Sequence, residues 1–386
     1  MVSKKHVYVQ IIQPLIPEYR IQLFQQLAEH DGLHVKVCAS RTLPYKEFPP
    51  SSARHETYAD LDHSCIGLMG NHFLWQRNMH LDPSMGKGDV LVVCGDLHFL
   101  SNIPLIWMAK RKGIGVVWWG HGFTKRRNRL KDILNRIIMN CIDVRLLYTD
   151  KEVAEYKQLG YPANKLFATN NTIDQEQIRK AIVAWDWTKL NEFKKRENIT
   201  EKKVLLFCGR RTKSISLELV FTALAQLRKN NDKYLFIIIG PDNSDGYLGK
   251  KAKELGVEDC IRWIGPIYHQ ILLAPWFLSA SCFVFPGSIG LGLIHAFSYG
   301  LPVILPDCNH GPEIEAFSDG ENGYYYRNGS VEDLAKIIST IVEHPELKQK
   351  LSICALHTVE NTYTMEAMVN RFLEAIHMAA NRYRKI

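Results

Sequence analysis

The sequence predicts an α/β protein built from two doubly wound, Rossmann-like domains. Two observations carry that prediction. Short apolar runs of strand length alternate with amphipathic segments of helical period along most of the chain, as in parallel sheets with helices on both faces. The alternation breaks once, over the polar and charged stretch 172–200, and then restarts. A length of 386 residues suits two domains of ordinary size. With 46% hydrophobic and 23% charged residues, the composition is that of a globular chain and excludes a disordered one.

Val7–Ile12 reads as a buried first strand, ended by Pro14 and Pro17. The run YRIQLFQQLAEH places Leu23, Phe24, Leu27 and Ala28 on one helical face, and Leu33–Cys38 is the next strand. Residues 40–88, rich in Pro, His and Ser, show no regular period. Val90–Cys94, Gly115–Trp119 and Val144–Tyr148 are further strands, with a helix over Ile103–Arg111. Thr149 and Glu152 make a capping box that opens a helix stopping at Gly160-Tyr161-Pro162, and a short strand ends near Asn170. Residues 172–200 read as an interdomain connection containing a helix. The second half gives strands at Val204–Cys208, Tyr234–Ile239 and Ile261–Trp263, with a helix over Leu217–Leu227. Ser330 and Asp333 cap a helix through Ile341, and helical segments finish the chain. The expected boundaries are 1–175, a connection over 176–200, a second domain over 201–362, and a C-terminal helix over 363–386 packing back on the first domain. Ligands of such sheets bind outside the carboxyl ends of the strands, so the two halves are expected to face a shared cleft.

The most informative stretch is Phe283–Gly323. An apolar run to Pro286 meets a loop with Gly287, Gly290 and Gly292, then a helical segment to Tyr299, a stop at Gly300 and a second apolar run, Val303–Leu305. This is a βαβ unit with a glycine turn at the strand-to-helix junction. Glycine lets backbone N–H groups approach a ligand, and a helix N-terminus attracts anions, so a phosphate-bearing ligand is expected there.

The nine cysteines are odd in number and include no CxxC, which fits reduced thiols rather than a disulfide framework or a zinc site. The N-terminal apolar run alternates like a strand and lacks a cleavage site, and no apolar stretch is long enough to span a bilayer. A cytoplasmic protein is expected. The net charge of +8 concentrates at Lys125, Arg126, Arg127, Arg129, Lys131 and Arg136, near Lys110, Arg111 and Lys112. Such a cluster suits phospholipid headgroups or the pyrophosphate of a lipid-linked acceptor, giving a peripheral position on the inner face of the membrane. No nucleic-acid recognition motif accompanies it, and no nucleic-acid partner is expected. Asp60-Leu61-Asp62 has the form of a metal motif but reads better as a surface loop.

The order of motifs in the second half resembles the retaining glycosyltransferases of the GT-B fold, close to family 4 (glycosyl transferases group 1). FCGRR at Phe207–Arg211, IIIGPD, IRWIGPI, FVFPGS, Gly300-Leu301-Pro302-Val303 and Asp319-Gly320-Glu321-Asn322-Gly323 follow one another as that family's motifs do. The resemblance implies a nucleotide-diphospho-sugar held mostly by the second domain and an acceptor held by the first. It implies no metal and no other cofactor, because cations and glycine-turn amides stabilise the leaving diphosphate.

Residue by residue, Arg210 matches the family's arginine, next to Gly209 and ahead of Gly240. The family lysine five residues later is Ile215 here, leaving Arg211 and Lys213 as candidates for the second cation. The family's Glu-x7-Glu pair falls on Gly287 and His295, so both glutamates are replaced. The donor loop is then Gly287, Ser288, Ile289, Gly290 and Leu291, with His295 as a candidate ribose contact. Glu315, with Glu313 nearby, is a candidate for the missing carboxylate contacts, and Pro266 and Ile267 for base contacts. His121, after a strand and before Gly122, matches the family position that points at the transferred sugar. Lys125, Arg126, Arg127 and Arg129 are candidates for membrane or acceptor contact.

The expected activity is transfer of a sugar from a nucleotide donor to a glycan or lipid-linked acceptor in cell-surface polysaccharide synthesis, with retention. Were it inverting, His121 would be the first candidate base. The alternatives are a non-catalytic sugar-nucleotide-binding partner subunit and a GT-B-fold sugar-nucleotide epimerase.

Overall fold

The computed structural model describes residues 6–41, 43–44, 59–122, 129–229 and 233–384. The chain forms two compact units, Met1–Asn171 with Met365–Ile386, and Thr172–Thr364.

The first unit runs β1 (Val7–Gln13), α1 (Ile21–Ala28), β2 (Leu33–Ser40), β3 (Ala59–His63), β4 (Cys65–Leu68), β5 (Phe73–Gln76), β6 (Val90–Cys94), α2 (Asn102–Arg111), β7 (Gly115–Trp119), α3 (Arg129–Cys141), β8 (Val144–Leu147), α4 (Asp150–Gln158) and β9 (Leu166–Ala168). Its sheet is ordered β3-β2-β1-β6-β7-β8-β9. Every pairing in it is parallel. The irregular 40–88 region hides an edge strand and the β4–β5 antiparallel hairpin. Asp60-Leu61-Asp62 is therefore not a loop: it lies within β3, where Asp60 pairs with Cys38. Strand signal is weak there because Ala59-Asp60-Leu61-Asp62-His63 is short and polar, with no apolar run. The capping box forms as expected, the Thr149 hydroxyl accepting from the Glu152 amide at 3.2 Å.

The second unit runs α5 (Gln175–Ala184), α6 (Trp187–Arg196), β10 (Lys203–Cys208), α7 (Leu217–Leu227), β11 (Tyr234–Ile239), α8 (Tyr247–Glu254), β12 (Ile261–Ile264), α9 (Gln270–Ser279), β13 (Cys282–Val284), α10 (Gly292–Ser298), β14 (Val303–Pro306), β15 (Gly323–Tyr326), α11 (Val331–Glu343) and α12 (Pro345–Asn361). Its sheet, ordered β12-β11-β10-β13-β14-β15, is parallel as well. All six residues of β11 are buried, as a central parallel strand covered on both faces requires.

Residues 175–196 are not a free connection. They form two helices whose narrow apolar stripes, Ile178 and Ala181 on α5 and Phe193 on α6, are buried in the second unit's core. Phe193 packs edge-on against Trp276 of α9, with ring centroids 4.8 Å apart. The charged residues occupy the outer faces, and their number masked the stripe. The last helix, α13 (Met365–Arg384), belongs to the first unit, where Phe372 meets Trp119 edge-on at 4.9 Å.

Candidate functional site

The second sheet reverses its order of growth between β10 and β13. From β10 the chain proceeds outward to β11 and β12; from β13 it proceeds the other way to β14 and β15. Adjacent strands whose connections diverge leave a crevice at their carboxyl ends, where open α/β sheets bind ligands. The loops following these strands carry Gly209, Arg210, Arg211 and Lys213 on one side and Gly287, Ser288, Ile289, Gly290 and Leu291 on the other. The fold thus brings together two groups about 75 residues apart in sequence, judged from their numbering.

The two loops touch. A Cβ added at Gly287 would lie 3.0 Å from the Ile215 Cα and 3.3 Å from the Ser214 carbonyl oxygen, so only glycine fits without displacing backbone. Phe207 and Phe285 stack beneath the junction at 5.1 Å. Gly240 has a similar reason. Its φ is +134°, and a Cβ there would fall 2.0 Å from the Gly209 carbonyl oxygen. Gly240 lets the ends of β10 and β11 close together and so fixes where Gly209 and Arg210 sit.

Arg210 is exposed, and Lys213 is exposed on a short 3-10 helix, Lys213–Ile215. Arg211 is turned aside. Its amide donates to the Pro241 carbonyl at 3.0 Å, and its guanidinium lies over Trp263, 5.3 Å from the ring centre. The Ser244 hydroxyl, the Ser244 amide and the Arg211 charge hold the neighbouring Asp242 carboxyl below its usual range, the hydroxyl contributing most.

The glycine turn is braced from the loop after β14. The Ile289 amide donates to His310 Nδ1 at 3.2 Å, and the Gly311 amide donates to the Ile289 carbonyl at 2.8 Å. His310 Nε2 is 2.9 Å from the Pro306 carbonyl oxygen. A carbonyl only accepts, so the proton is on Nε2 and Nδ1 is free to accept from Ile289. Among the described residues, the amides of Ser288, Gly290, Leu291 and Gly292 have no protein acceptor. The following helix, α10, has only seven residues. The expected helix-terminus contribution is accordingly replaced by these individual N–H groups.

Glu313 is 5% exposed. Its Oε2 lies 3.5 Å from the place a Cβ would take on Gly290 and 2.9 Å from that on Gly311, so the carboxylate abuts the turn. Glu315 sits half-buried on the same 3-10 helix, Pro312–Ala316. His295 faces elsewhere. Its Nε2 pairs with Gln270 Oε1 at 3.1 Å, and its ring lies 4.7 Å from that of Phe277. Gln270 Oε1 also accepts from the Tyr299 hydroxyl at 2.9 Å. Burial of the ring pushes the His295 pKa down to about 4, so the imidazole is neutral near pH 7. These contacts make it a packing position between α9 and α10.

Pro266 and Ile267 follow β12, Pro266 exposed and Ile267 partly buried. The Asp319–Gly323 motif is a turn held internally. Asn322 is 2% exposed, accepts from the Ser318 amide at 2.9 Å and donates to the Ala316 carbonyl at 2.9 Å.

In the first unit, His121 is exposed two residues beyond β7, with its ring edge-on to Tyr148 at 4.5 Å. Gly122 donates its amide to Glu152 Oε1 at 2.7 Å, while Glu152 Oε2 accepts from the Tyr148 amide at 2.9 Å. One carboxylate thus caps α4 and anchors the loop that carries His121. Lys125, Arg126 and Arg127 lie outside the described residues, and Arg129 opens α3. Sequence reasoning missed His310. A signal existed, since Asn309-His310-Gly311 repeats the His-Gly after a strand that singled out His121.

Among the described residues no group of three or more His, Cys, Asp or Glu is placed to hold a metal ion. No helix among them is long and apolar enough to cross a membrane.

Comparison with known proteins agrees with this geometry. Residues 189–356 match the family described as "Glycosyl transferases group 1". An "Uncharacterized glycosyltransferase" of Haemophilus influenzae is 22% identical over 267 residues, 68% of this chain and 69% of that protein. A glycosyltransferase structure from Rickettsia africae superposes with a TM-score of 0.72 at 12% identity, covering 97% of this chain and 98% of that one. HepE from Anabaena, solved in complex with UDP-glucose, superposes with a TM-score of 0.66 at 13% identity over 96% and 99% of the two chains. The switch-point loops, the two parallel sheets and these matches show a GT-B fold glycosyltransferase, in which residues 189–356 are similar to the group 1 glycosyl transferases.

Proposed function

We propose that the chain transfers a sugar from a nucleotide-diphospho-sugar to a glycan or lipid-linked acceptor of a cell-surface polysaccharide, with retention. The observation that carries this reading is the meeting of the Gly209–Lys213 loop and the Gly287–Leu291 turn at the switch point of the second sheet. The fold likeness to HepE, a protein solved with UDP-glucose, supports the donor class.

The diphosphate sits on the amides of Ser288, Gly290 and Leu291 and against the Arg210 guanidinium, with Lys213 as second cation. Arg211, already stacked on Trp263, sets the loop rather than touching phosphate. Pro266 and Ile267 border the base. Glu315 contacts the sugar or ribose, since Gly287 has no room for a carboxylate, and Glu313 supports the turn. His121 donates a hydrogen bond to the transferred sugar. The bond from the anomeric carbon to the diphosphate oxygen breaks, and its electron pair leaves with the diphosphate. The acceptor hydroxyl bonds to the same face, and its proton passes to the departing oxygen. The leaving charge is met by side-chain cations and amides, without a metal in the scheme.

Attachment to the inner face of the membrane fits a feature of the first unit. Ile133, Leu134 and Ile137 stand exposed on one face of α3, and Ile103 and Trp107 on the touching helix α2. Arg111 covers Trp107 at 3.8 Å, and Lys112 and Arg136 are exposed nearby in sequence. Apolar residues ringed by cations suit an anionic bilayer surface.

The deciding experiment offers a panel of nucleotide sugars with and without lipid-linked acceptors, and compares wild type with Arg210→Ala. Transfer by wild type and its loss in the variant is expected. Donor binding with no turnover on any acceptor would establish a binding subunit, and an altered donor sugar formed without acceptor would establish an epimerase.

A further inference from the structure

Arg20 is 6% exposed, yet among the described residues its side-chain hydrogen bond goes to a thioether and not to a carboxylate. It ends the loop after β1, immediately before α1. Its guanidinium lies over the Trp119 ring at 4.8 Å, with Tyr19 at 5.1 Å and Tyr148 at 5.7 Å. Its hydrogen bond to protein is a weak one, from Nη1 to the thioether sulfur of Met368 at 3.8 Å. A guanidinium carries five N–H donors, so most are left without an acceptor. Its unpartnered nitrogens are not among the sealed buried atoms of the fold.

Cation–π contact offsets only part of what it costs to take a guanidinium out of water, and a buried charge normally comes with a paired anion. The aromatic surroundings supply faces and neutral tyrosine hydroxyls but no anionic oxygen. The location gives the missing anion a source. Trp119 is the last residue of β7, Tyr148 directly follows β8, and Arg20 follows β1, so all three lie at the carboxyl edge of the first sheet. Tyr148 also bears the ring of His121 on its edge.

We infer that Arg20 is an oxyanion-binding residue of the acceptor site: the acceptor presents a phosphate or carboxylate that completes a bidentate pair with this guanidinium, beside the sugar handled at His121. This rests on the reading of the chain as a transferase whose acceptor occupies the first unit. The aromatic cage holds the fork in one orientation before the ligand arrives, so planar oxyanion recognition requires little further ordering.

The test follows the arginine Nε–H resonances of the intact protein by NMR during titration with inorganic phosphate and, separately, with glucuronate. The Arg20 signal is identified by its ring-current displacement over Trp119 and by its absence from Arg20→Lys. A saturable shift with phosphate alone supports a phosphate-bearing acceptor, with glucuronate alone a uronic-acid acceptor, and with both a general oxyanion site. An Arg20 signal unmoved by either probe overturns the proposal, even where the Arg210 signal moves. Movement at Arg210 reports the donor site independently, so the two readings fail separately. In transfer assays Arg20→Lys should raise the acceptor KM at least tenfold and leave the donor KM unchanged. Equal changes in both, with no signal shift, would mark Arg20 as purely structural.

Discussion

Restoring the glutamate that the family resemblance expects at residue 287 should damage this protein rather than improve it. The first atom any side chain adds there, Cβ, would sit 3.0 Å from the Ile215 Cα and 3.3 Å from the Ser214 oxygen. Ordinary contact begins several tenths of an ångström further out, and the obstacle is backbone on a loop tied at both ends. Overpacking of this kind costs about 1–3 kcal/mol. For a unit of this size that lowers Tm by about 2–12 °C. Gly287→Ala and Gly287→Glu should therefore lose similar stability in calorimetry, because the common Cβ does the harm. Ile215→Ala removes only the more distant Cδ1 contact at 3.4 Å, so the double variant Gly287→Ala/Ile215→Ala should recover little, within about 0.5 kcal/mol. Gly287→Ala melting within half a degree of wild type would refute the argument. So would Gly287→Glu melting like wild type with higher transferase activity.

Other perturbations test other parts of the reading. Arg210 is exposed, so Arg210→Ala should leave Tm unchanged while lowering kcat about 10²–10³-fold, as loss of one transition-state charge contact does; an unchanged kcat removes Arg210 from the mechanism. Removing the ring of His310 takes away the acceptor of the Ile289 amide and the donor to the Pro306 carbonyl, costing about 1–3 kcal/mol, and hydrogen exchange at the Ile289 amide should accelerate in His310→Ala; an Ile289 amide still protected would show that the turn needs no brace. His295 takes a proton near pH 6.5 when unfolded but only near pH 4 when folded. The unfolded chain therefore binds more protons between those values, and stability falls as pH drops through that window and levels off below it. The loss is roughly 3 kcal/mol, absent from His295→Phe; parallel stability curves for the two proteins would contradict the buried, neutral imidazole. Replacing Ile133, Leu134 and Ile137 by Ser should abolish flotation with anionic liposomes without lowering Tm, since all three are already exposed; undiminished flotation removes the membrane surface.

What was legible in the sequence was whatever repeats or punctuates. β11 announced itself because a strand covered on both faces must be apolar throughout, and the capping box at Thr149 and Glu152 because its two partners are three residues apart. What depends on folding was not legible. Ile178, Ala181 and Phe193 were hidden among charged neighbours, and nothing in the sequence near Arg20 marks that the rings of Trp119 and Tyr148, from distant segments, join Tyr19 around it. His295 occupies a helical position that periodicity alone cannot assign to ligand or core, and its contact with Gln270 becomes visible only in the fold.

The departures from the family pattern show the same limit most clearly. In sequence, Ile215 for a lysine and Gly287 for a glutamate are separate losses, each weakening the case for an active donor site. In the structure they are neighbours, the Ile215 backbone filling the space a side chain on residue 287 would need. Replacing one of two opposite charges would strand the other against apolar packing, which is costly, whereas replacing both leaves a neutral contact. The pair therefore reads as a single packing change at the junction of two loops. Arg210, the glycine-turn amides and the Glu313 carboxylate are left standing around it.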